Sequence, residues 1–99
     1  KDAKLLETKG VFSIVLEGVE SSLAKEISKS LKVPTIGIGS SVHCDGQVLV
    51  TDDLLGLNDT KIKFVKKFAN TKNYIKKAAQ KFKSEVINKK YPTKKHSYS

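Results

Sequence analysis

Residues 10–50 have the sequence GVFSIVLEGVESSLAKEISKSLKVPTIGIGSSVHCDGQVLV, and this stretch decides the fold. It contains three short apolar runs, which predict β-strands at about 11–16, 35–38 and 47–50. The first run is nearly continuous rather than alternating, which is typical of a strand buried on both faces of a parallel sheet. Strand, helix and strand follow one another within the length of a βαβ unit, so we expect successive βα units with parallel strands.

A helix is predicted between the first two strands, beginning at Ser21 or Ser22 as its N-cap and ending near Lys32. Its apolar residues repeat every four positions, which predicts one buried stripe. Outside this stretch, the patterns predict helices at 3–9, 60–69 and 72–88 and a polar C-terminal tail at 91–99.

Three strands cannot close a barrel, and a parallel sheet this small would leave long edges open. The chain has 99 residues, which allows at most one small domain, and it contains no methionine. We therefore expect residues 1–99 to be one segment of a larger α/β domain, either a piece of a longer chain or a chain whose N-terminus was removed.

The positive charge is concentrated in the second part of the chain. Residues 1–60 hold 6 lysines and 9 acidic residues, whereas residues 61–99 hold 13 lysines and 1 acidic residue. Such asymmetry favours a small Lys-rich binding module for nucleic acid or an acidic surface. All 19 basic residues are lysine, however, and arginine is preferred for bidentate recognition. Since Phe64, Phe68 and Phe82 are expected on the core-facing side, we predict no specific nucleic-acid binding.

The single cysteine, Cys44, cannot form an internal disulfide, which fits a reducing cytoplasm as the expected location. No apolar run approaches the roughly 18–20 residues that cross a bilayer, so no membrane partner is expected.

Glu17 is the residue that the pattern singles out for chemistry. It stands where the first apolar strand gives way to a loop, and the carboxyl ends of parallel strands are where active sites form in α/β folds. A carboxylate there can act as a general base. A solvated acid near the positive N-terminus of the following helix is the alternative interpretation.

Other candidate motifs fail on spacing. The Gly37-Ile38-Gly39 segment lacks the third glycine of a dinucleotide-binding loop, because Val42 stands there. No nucleophile elbow surrounds Ser40 or Ser41.

A metal site is not expected in this chain. His43, Cys44 and Asp45 are adjacent in sequence and do not have the spacing of zinc ligands. The neighbouring acids Asp52 and Asp53 are more typical of a solvated loop or a helix cap than of a cation site.

Four ordered blocks resemble the ketopantoate hydroxymethyltransferase family, and together with matches at Asp53-Leu54-Leu55-Gly56 and in the ending Tyr91-Pro92 to His96-Ser97-Tyr98 they cover practically the whole chain. The blocks are Val15-Leu16-Glu17, Leu23-Ala24-Lys25-Glu26-Ile27, Val33-Pro34-Thr35-Ile36-Gly37-Ile38-Gly39 and Asp45-Gly46-Gln47-Val48-Leu49-Val50. The resemblance implies the C-terminal portion, about the last three βα units, of a (β/α)8 barrel of the phosphoenolpyruvate-dependent superfamily. It also implies a cytoplasmic homo-oligomer.

The implied reaction transfers a hydroxymethyl group from 5,10-methylenetetrahydrofolate to 3-methyl-2-oxobutanoate, in pantothenate biosynthesis. Glu17 matches the family's catalytic base. A Mg²⁺ ion chelated by the ketoacid is implied as well, with its ligands and a substrate-binding lysine on earlier strands that are not among these residues. The segment alone is therefore expected to be inactive.

The chain departs from the family pattern close to Glu17. The family usually has cysteine and proline where Gly18 and Glu20 stand, and Ala-Gly where Ser40 and Ser41 stand. Asp52 replaces a histidine that is frequent in the family. These departures leave the base in place and change several of the residues around it.

Overall fold

The computed structural model describes residues 1–98 and shows an α/β arrangement with one small parallel sheet. Its elements in chain order are α1 (Asp2–Thr8), β1 (Ile14–Glu17), α2 (Ser21–Ser30), β2 (Thr35–Ile38), β3 (Gly46–Gln47), α3 (Thr51–Leu54) and α4 (Thr71–Ile87), followed by a 3₁₀ turn at Lys94–His96.

The three strands pair in the order β1-β2-β3, and both pairs are parallel. The register runs from Ile14 opposite Thr35 to Glu17 opposite Ile38. The sequence-based prediction of successive parallel strands joined by a helix is therefore confirmed.

Two of the predicted strand bounds are wrong. β1 begins at Ile14 rather than residue 11, and the Phe12 side chain is 89% exposed. β3 spans Gly46–Gln47 rather than residues 47–50. The Val48 N–H still donates to the Gly37 carbonyl at 3.0 Å, and the chain then turns away into α3.

One face of the sheet carries the core. Ile14 and Leu16 are buried beneath α2, where Ala24 is fully buried, and Cys44 completes the cluster. Val15 points to the opposite face and is 57% exposed. The expectation of burial on both faces is thus wrong for these residues, because α2 covers one face and no other element described here covers the second.

The first turn of α2 also differs from the prediction. The N-cap is Glu20, not a serine: its carboxylate accepts hydrogen bonds from the N–H groups of Ser22 and Leu23. The buried position of the predicted stripe is Ala24, whereas Leu23 is about half exposed.

The helix predicted at 60–69 is absent, and this segment is irregular. Its backbone forms one internal turn, in which the Val65 N–H donates to the Ile62 carbonyl at 3.0 Å, and it then pairs with the end of α3: the N–H groups of Phe68 and Ala69 both donate to the Leu54 carbonyl, at 2.9 and 3.2 Å. Gly56 permits this close approach, since a Cβ there would lie 2.2 Å from the Ala69 carbonyl oxygen.

α4 confirms the predicted helix at 72–88, yet its apolar stripe is uncovered. Ile75 and Phe82 are more than half exposed, and so is Phe68 before the helix. The expectation that these phenylalanines face a core is wrong, because the molecule is extended, with dimensions of 70 × 28 × 16 Å and a radius of gyration of 22.7 Å. A compact chain of this length would have a radius near 13 Å.

The polar tail contains the 3₁₀ turn and two aromatic contacts of Tyr91. The Tyr91 ring meets the Phe82 ring edge-on and the His96 ring at a tilt, and in both pairs the centroids are 5.6 Å apart. Among residues 1–98, no helix is long and apolar enough to cross a membrane.

Candidate active site

Glu17 is the last residue of β1, at the edge of the sheet where the carboxyl ends of β1 and β2 lie side by side. Because side chains alternate along a strand, Glu17 shares the uncovered face with Val15, and its in-register partner is Ile38. The Glu17 side chain is exposed. The residue that the sequence singles out therefore occupies the expected strand end, with its carboxylate open to a reactant.

The turn after Glu17 is tight and is tied to β2. Gly18 has a φ of +61°, a left-handed conformation that non-glycine residues adopt at a cost. The Gly18 N–H donates to the Ile38 carbonyl at 2.9 Å. This bond fixes the position of the Glu17 backbone relative to the end of the neighbouring strand.

Ser40, in the loop after β2, makes a second tie to the same turn. Its hydroxyl donates to the Leu16 carbonyl at 2.7 Å and accepts from the Val19 N–H at 3.1 Å. In the sequence, Ser40 stands out only as a departure from the family pattern and as a serine without the surroundings of a nucleophile elbow. No local signal could have indicated its role, because both partners lie more than 20 positions earlier in the chain.

The nearby acid Glu20 has a different task from Glu17. The hydroxyl and N–H of Ser22, together with the Leu23 N–H, hold the pKa of the Glu20 carboxyl below its ordinary value. A carboxylate committed to three donors at a helix N-terminus is a weaker proton acceptor. Of the two acids that flank the turn, Glu17 is therefore the better candidate for a general base.

A cavity of about 560 Å³ lies beside the turn. Its lining comes from the loops after β1 and β2 and from the irregular segment: Gly18, Val19, Glu20, Ser21, Gly39, Ser40, Lys63 and Phe64. Phe64 packs directly on Gly39, whose φ is +64°, and a Cβ at Gly39 would lie 2.4 Å from the Phe64 Cβ. Lys63 brings a positive charge to a pocket that is large enough for a small organic acid.

The residues of the other candidate motifs are buried or form hydrogen bonds within the fold. Cys44 is buried in the core, while the Asp45 carboxylate accepts hydrogen bonds from the Thr35 N–H and hydroxyl. Asp53 is buried and accepts from the Asn58 side chain at 3.2 Å.

No three His, Cys, Asp or Glu side chains come together as a metal-binding group within the described residues 1–98.

Comparison with known proteins gives consistent matches over the chain. The sequence model of a family described as ketopantoate hydroxymethyltransferase matches residues 1–94. The 3-methyl-2-oxobutanoate hydroxymethyltransferase of Pelagibacter ubique is 70% identical over 98 residues, which are 99% of this chain and 38% of that protein.

Two further proteins of the same name give similar coverage. The Caldicellulosiruptor bescii protein is 54% identical over 99 residues, covering 99% of this chain and 38% of its own length. The Thermotoga maritima protein is 52% identical over 100 residues, covering 100% of this chain and 37% of its own length. The chain thus spans less than two fifths of the length of the curated relatives that it matches.

Proposed function

The chain belongs to the ketopantoate hydroxymethyltransferase family, and from that premise we propose that the full-length protein containing it transfers a hydroxymethyl group from 5,10-methylenetetrahydrofolate to 3-methyl-2-oxobutanoate, giving 2-dehydropantoate. The single observation that carries this proposal is the position of Glu17. Its exposed carboxylate ends a parallel strand at the sheet edge where α/β enzymes place their reactive groups.

The proposed fold of the full-length protein is a (β/α)8 barrel, of which residues 1–98 would supply about three strands. The uncovered face of the sheet supports this. Val15 and Glu17 lie on that face with their in-register partners Ile36 and Ile38, opposite the face that α2 covers. In a barrel such a face lines the interior, and the remaining strands would cover Val15. These strands come from elsewhere in the full-length protein, which is the principal partner of this segment.

The proposed chemistry begins with Glu17 as general base. The C3 proton of 3-methyl-2-oxobutanoate lies next to the keto group, so removal of this proton gives a stabilised enolate. Glu17 takes this proton, and C3 of the enolate forms a C–C bond to the methylene carbon of the folate as one of that carbon's two C–N bonds breaks. Water supplies the hydroxyl oxygen as the second C–N bond breaks. The proton taken from C3 and one proton of the water go to the two folate nitrogens, so that tetrahydrofolate leaves. The ligands of a magnesium ion on the ketoacid are assigned to residues outside these 99.

The test uses the full-length protein in two assays. The first measures 2-dehydropantoate formed from the ketoacid and 5,10-methylenetetrahydrofolate. The second omits folate and follows exchange of the C3 proton with deuterated water by NMR, which isolates the deprotonation step. We expect both activities. A folded full-length protein that forms no product and exchanges no C3 proton would overturn the proposed function.

A further inference from the structure

The Ser40 hydroxyl joins two backbone groups that stand on either side of Glu17 and Gly18. It donates to the carbonyl of Leu16, the residue before Glu17, and accepts from the N–H of Val19, the residue after Gly18. With the bond from the Gly18 N–H to the Ile38 carbonyl, three hydrogen bonds attach this turn to the end of β2. We call these four turn residues, Leu16–Val19, the Glu17 turn.

The Glu17 turn needs such restraint because its own backbone provides little. β1 is four residues long and lies at an edge of the sheet described here, paired only with β2. Gly18 has no side chain, and glycine has more backbone freedom to lose on ordering than any other residue. Without the Ser40 hydroxyl, the Leu16 carbonyl and the Val19 N–H would also lose their shared partner.

We infer that Ser40 is a positioning residue for the base: its hydroxyl sets the direction in which the Glu17 carboxylate leaves the sheet. The inference rests on the proposed function, since it assumes that Glu17 accepts the C3 proton. Proton transfer depends steeply on the placement of the base, and small displacements of a reactive group cost large factors in rate.

The role is specific to the local sequence of this chain. The family pattern that this chain resembles has alanine at position 40 and proline at the place of Glu20. A proline ring fixes the backbone where it stands, and this chain lacks that restraint close to Glu17. The Ser40 hydroxyl provides a different restraint on the same turn. Alanine at position 40 is also compatible with the fold, so Ser40→Ala removes the hydroxyl with little risk of unfolding.

The experiment measures C3 proton exchange of 3-methyl-2-oxobutanoate by the full-length protein in deuterated water. For Ser40→Ala we expect kcat for exchange to fall by roughly tenfold while KM stays within about twofold. Ser40→Thr keeps the hydroxyl and can direct its methyl group into the adjacent cavity, so it should restore most of the rate. Glu17→Gln, measured in parallel, reports on the base itself.

Ser41→Ala is the matched control. Ser41 is the neighbouring serine, and its hydroxyl also accepts a hydrogen bond, from the His43 N–H at 3.2 Å, but this bond stays within the loop. The control should therefore leave exchange unchanged.

The outcomes separate the inference from the function on which it rests. If Glu17→Gln abolishes exchange and Ser40→Ala stays within about twofold of the wild type, the positioning role is wrong and the base assignment stands. Equal losses in Ser40→Ala and Ser41→Ala, or a loss that Ser40→Thr does not restore, would indicate loop stability and refute positioning. Wild-type exchange in Glu17→Gln would overturn the base assignment and the positioning role together.

Discussion

The Asp45 carboxylate accepts hydrogen bonds from both the backbone N–H and the side-chain hydroxyl of Thr35, at 2.8 and 3.2 Å. Thr35 is the fully buried first residue of β2, and Asp45 immediately precedes β3. The pair therefore fixes where β3 begins against β2. It lies at the amino-terminal edge of the strands, opposite the edge that carries Glu17, where side chains of α/β folds serve stability rather than chemistry.

Thr35→Val should destabilise the full-length protein by about 1–3 kcal/mol, because it removes the hydroxyl that Asp45 and Ser28 share. Valine keeps the shape, so the loss reports on the hydrogen bonds. Urea unfolding measures it. Ser28→Ala combined with Thr35→Val should cost less than the sum of the two single changes, since the hydroxyls bond to each other at 2.7 Å. Strictly additive losses would contradict the shared network.

Gly18 and Gly39 should respond differently to alanine although both have a positive φ. Gly18→Ala has open space around the new Cβ and should cost only the conformational penalty, about 1–2 kcal/mol. Gly39→Ala should cost about 1–3 kcal/mol more, because its Cβ would collide with the base of the Phe64 side chain.

Urea unfolding of the two glycine variants gives the difference. Adding Phe64→Ala to Gly39→Ala removes the colliding atoms, so part of the extra loss should disappear. Equal costs for the two glycine variants would show that Phe64 does not pack on Gly39 in solution.

Glu7 should make stability dependent on pH in the acid range. Its carboxylate accepts the N–H groups of Lys32 and Val33, at 2.6 and 3.0 Å, which ties α1 to the connection between α2 and β2. The Val33 N–H is the largest cause that holds the Glu7 pKa below its ordinary value. The folded state thus favours the charged form. The contribution of the charged Glu7 carboxylate to the free energy of unfolding is complete above the unfolded-state pKa. It is lost as the pH falls through the lower folded-state pKa.

Glu7→Gln should accordingly lower the thermal midpoint at neutral pH, and the difference from the wild type should shrink as the pH falls below the ordinary glutamate pKa. Differential scanning fluorimetry across this range measures the effect. Glu26→Gln, at an exposed position on α2, is the control and should show a much smaller change. A Glu7→Gln deficit that stays constant down to the lowest pH would exclude this carboxylate as the cause.

No specific nucleic-acid binding is expected of this chain, although one reason for that expectation no longer holds. Phe68 and Phe82 are exposed rather than buried, and the Lys66 ammonium lies 5.1 Å from the centre of the Phe68 ring. The chain still has no arginine for base recognition. Titration with duplex and single-stranded oligonucleotides near physiological salt should give only weak binding that salt abolishes. Sub-micromolar binding that discriminates between sequences would contradict this.

The sequence predicted the elements whose pattern is local. β2 has the predicted bounds, and α4 follows a clear helical repeat. The apolar spacing of the segment 60–69 suits a helix, but the N–H groups of Phe68 and Ala69 donate to the Leu54 carbonyl of another segment. A pairing of that kind depends on where two distant segments meet, which periodicity does not reveal.

The candidate site, like the fold, contains residues that the sequence could predict and residues that it could not. Glu17 was predictable because the end of an apolar run marks the end of a strand. The cap of α2 was not, since Glu20, Ser21 and Ser22 all carry side chains that can accept from a helix N-terminus and only the backbone geometry selects among them. Ser40 was missed because its partners, Leu16 and Val19, lie in β1 and in the turn after it, more than 20 positions earlier in the chain.

Glu17→Gln tests the proposed base directly in the full-length protein. Glutamine keeps the size and a hydrogen-bonding head at the end of β1 but cannot accept the C3 proton. We expect kcat for C3 proton exchange to fall by about 10²–10⁴. Ketoacid affinity should change little, because an interaction that is used only in the transition state lowers kcat more than it raises KM.

Glu20→Gln is the matched control for this prediction, because it makes the same chemical change three residues away in a carboxylate that caps α2. It should lower the thermal midpoint while exchange persists, whereas Glu17→Gln should do the reverse, since the Glu17 side chain is exposed and contributes little to packing. If Glu17→Gln exchanges the C3 proton at the wild-type rate, Glu17 is a solvated carboxylate at a strand end. A loss in Glu20→Gln equal to that in Glu17→Gln would instead mean that the charge of the Glu17 turn, rather than one proton acceptor, governs the rate.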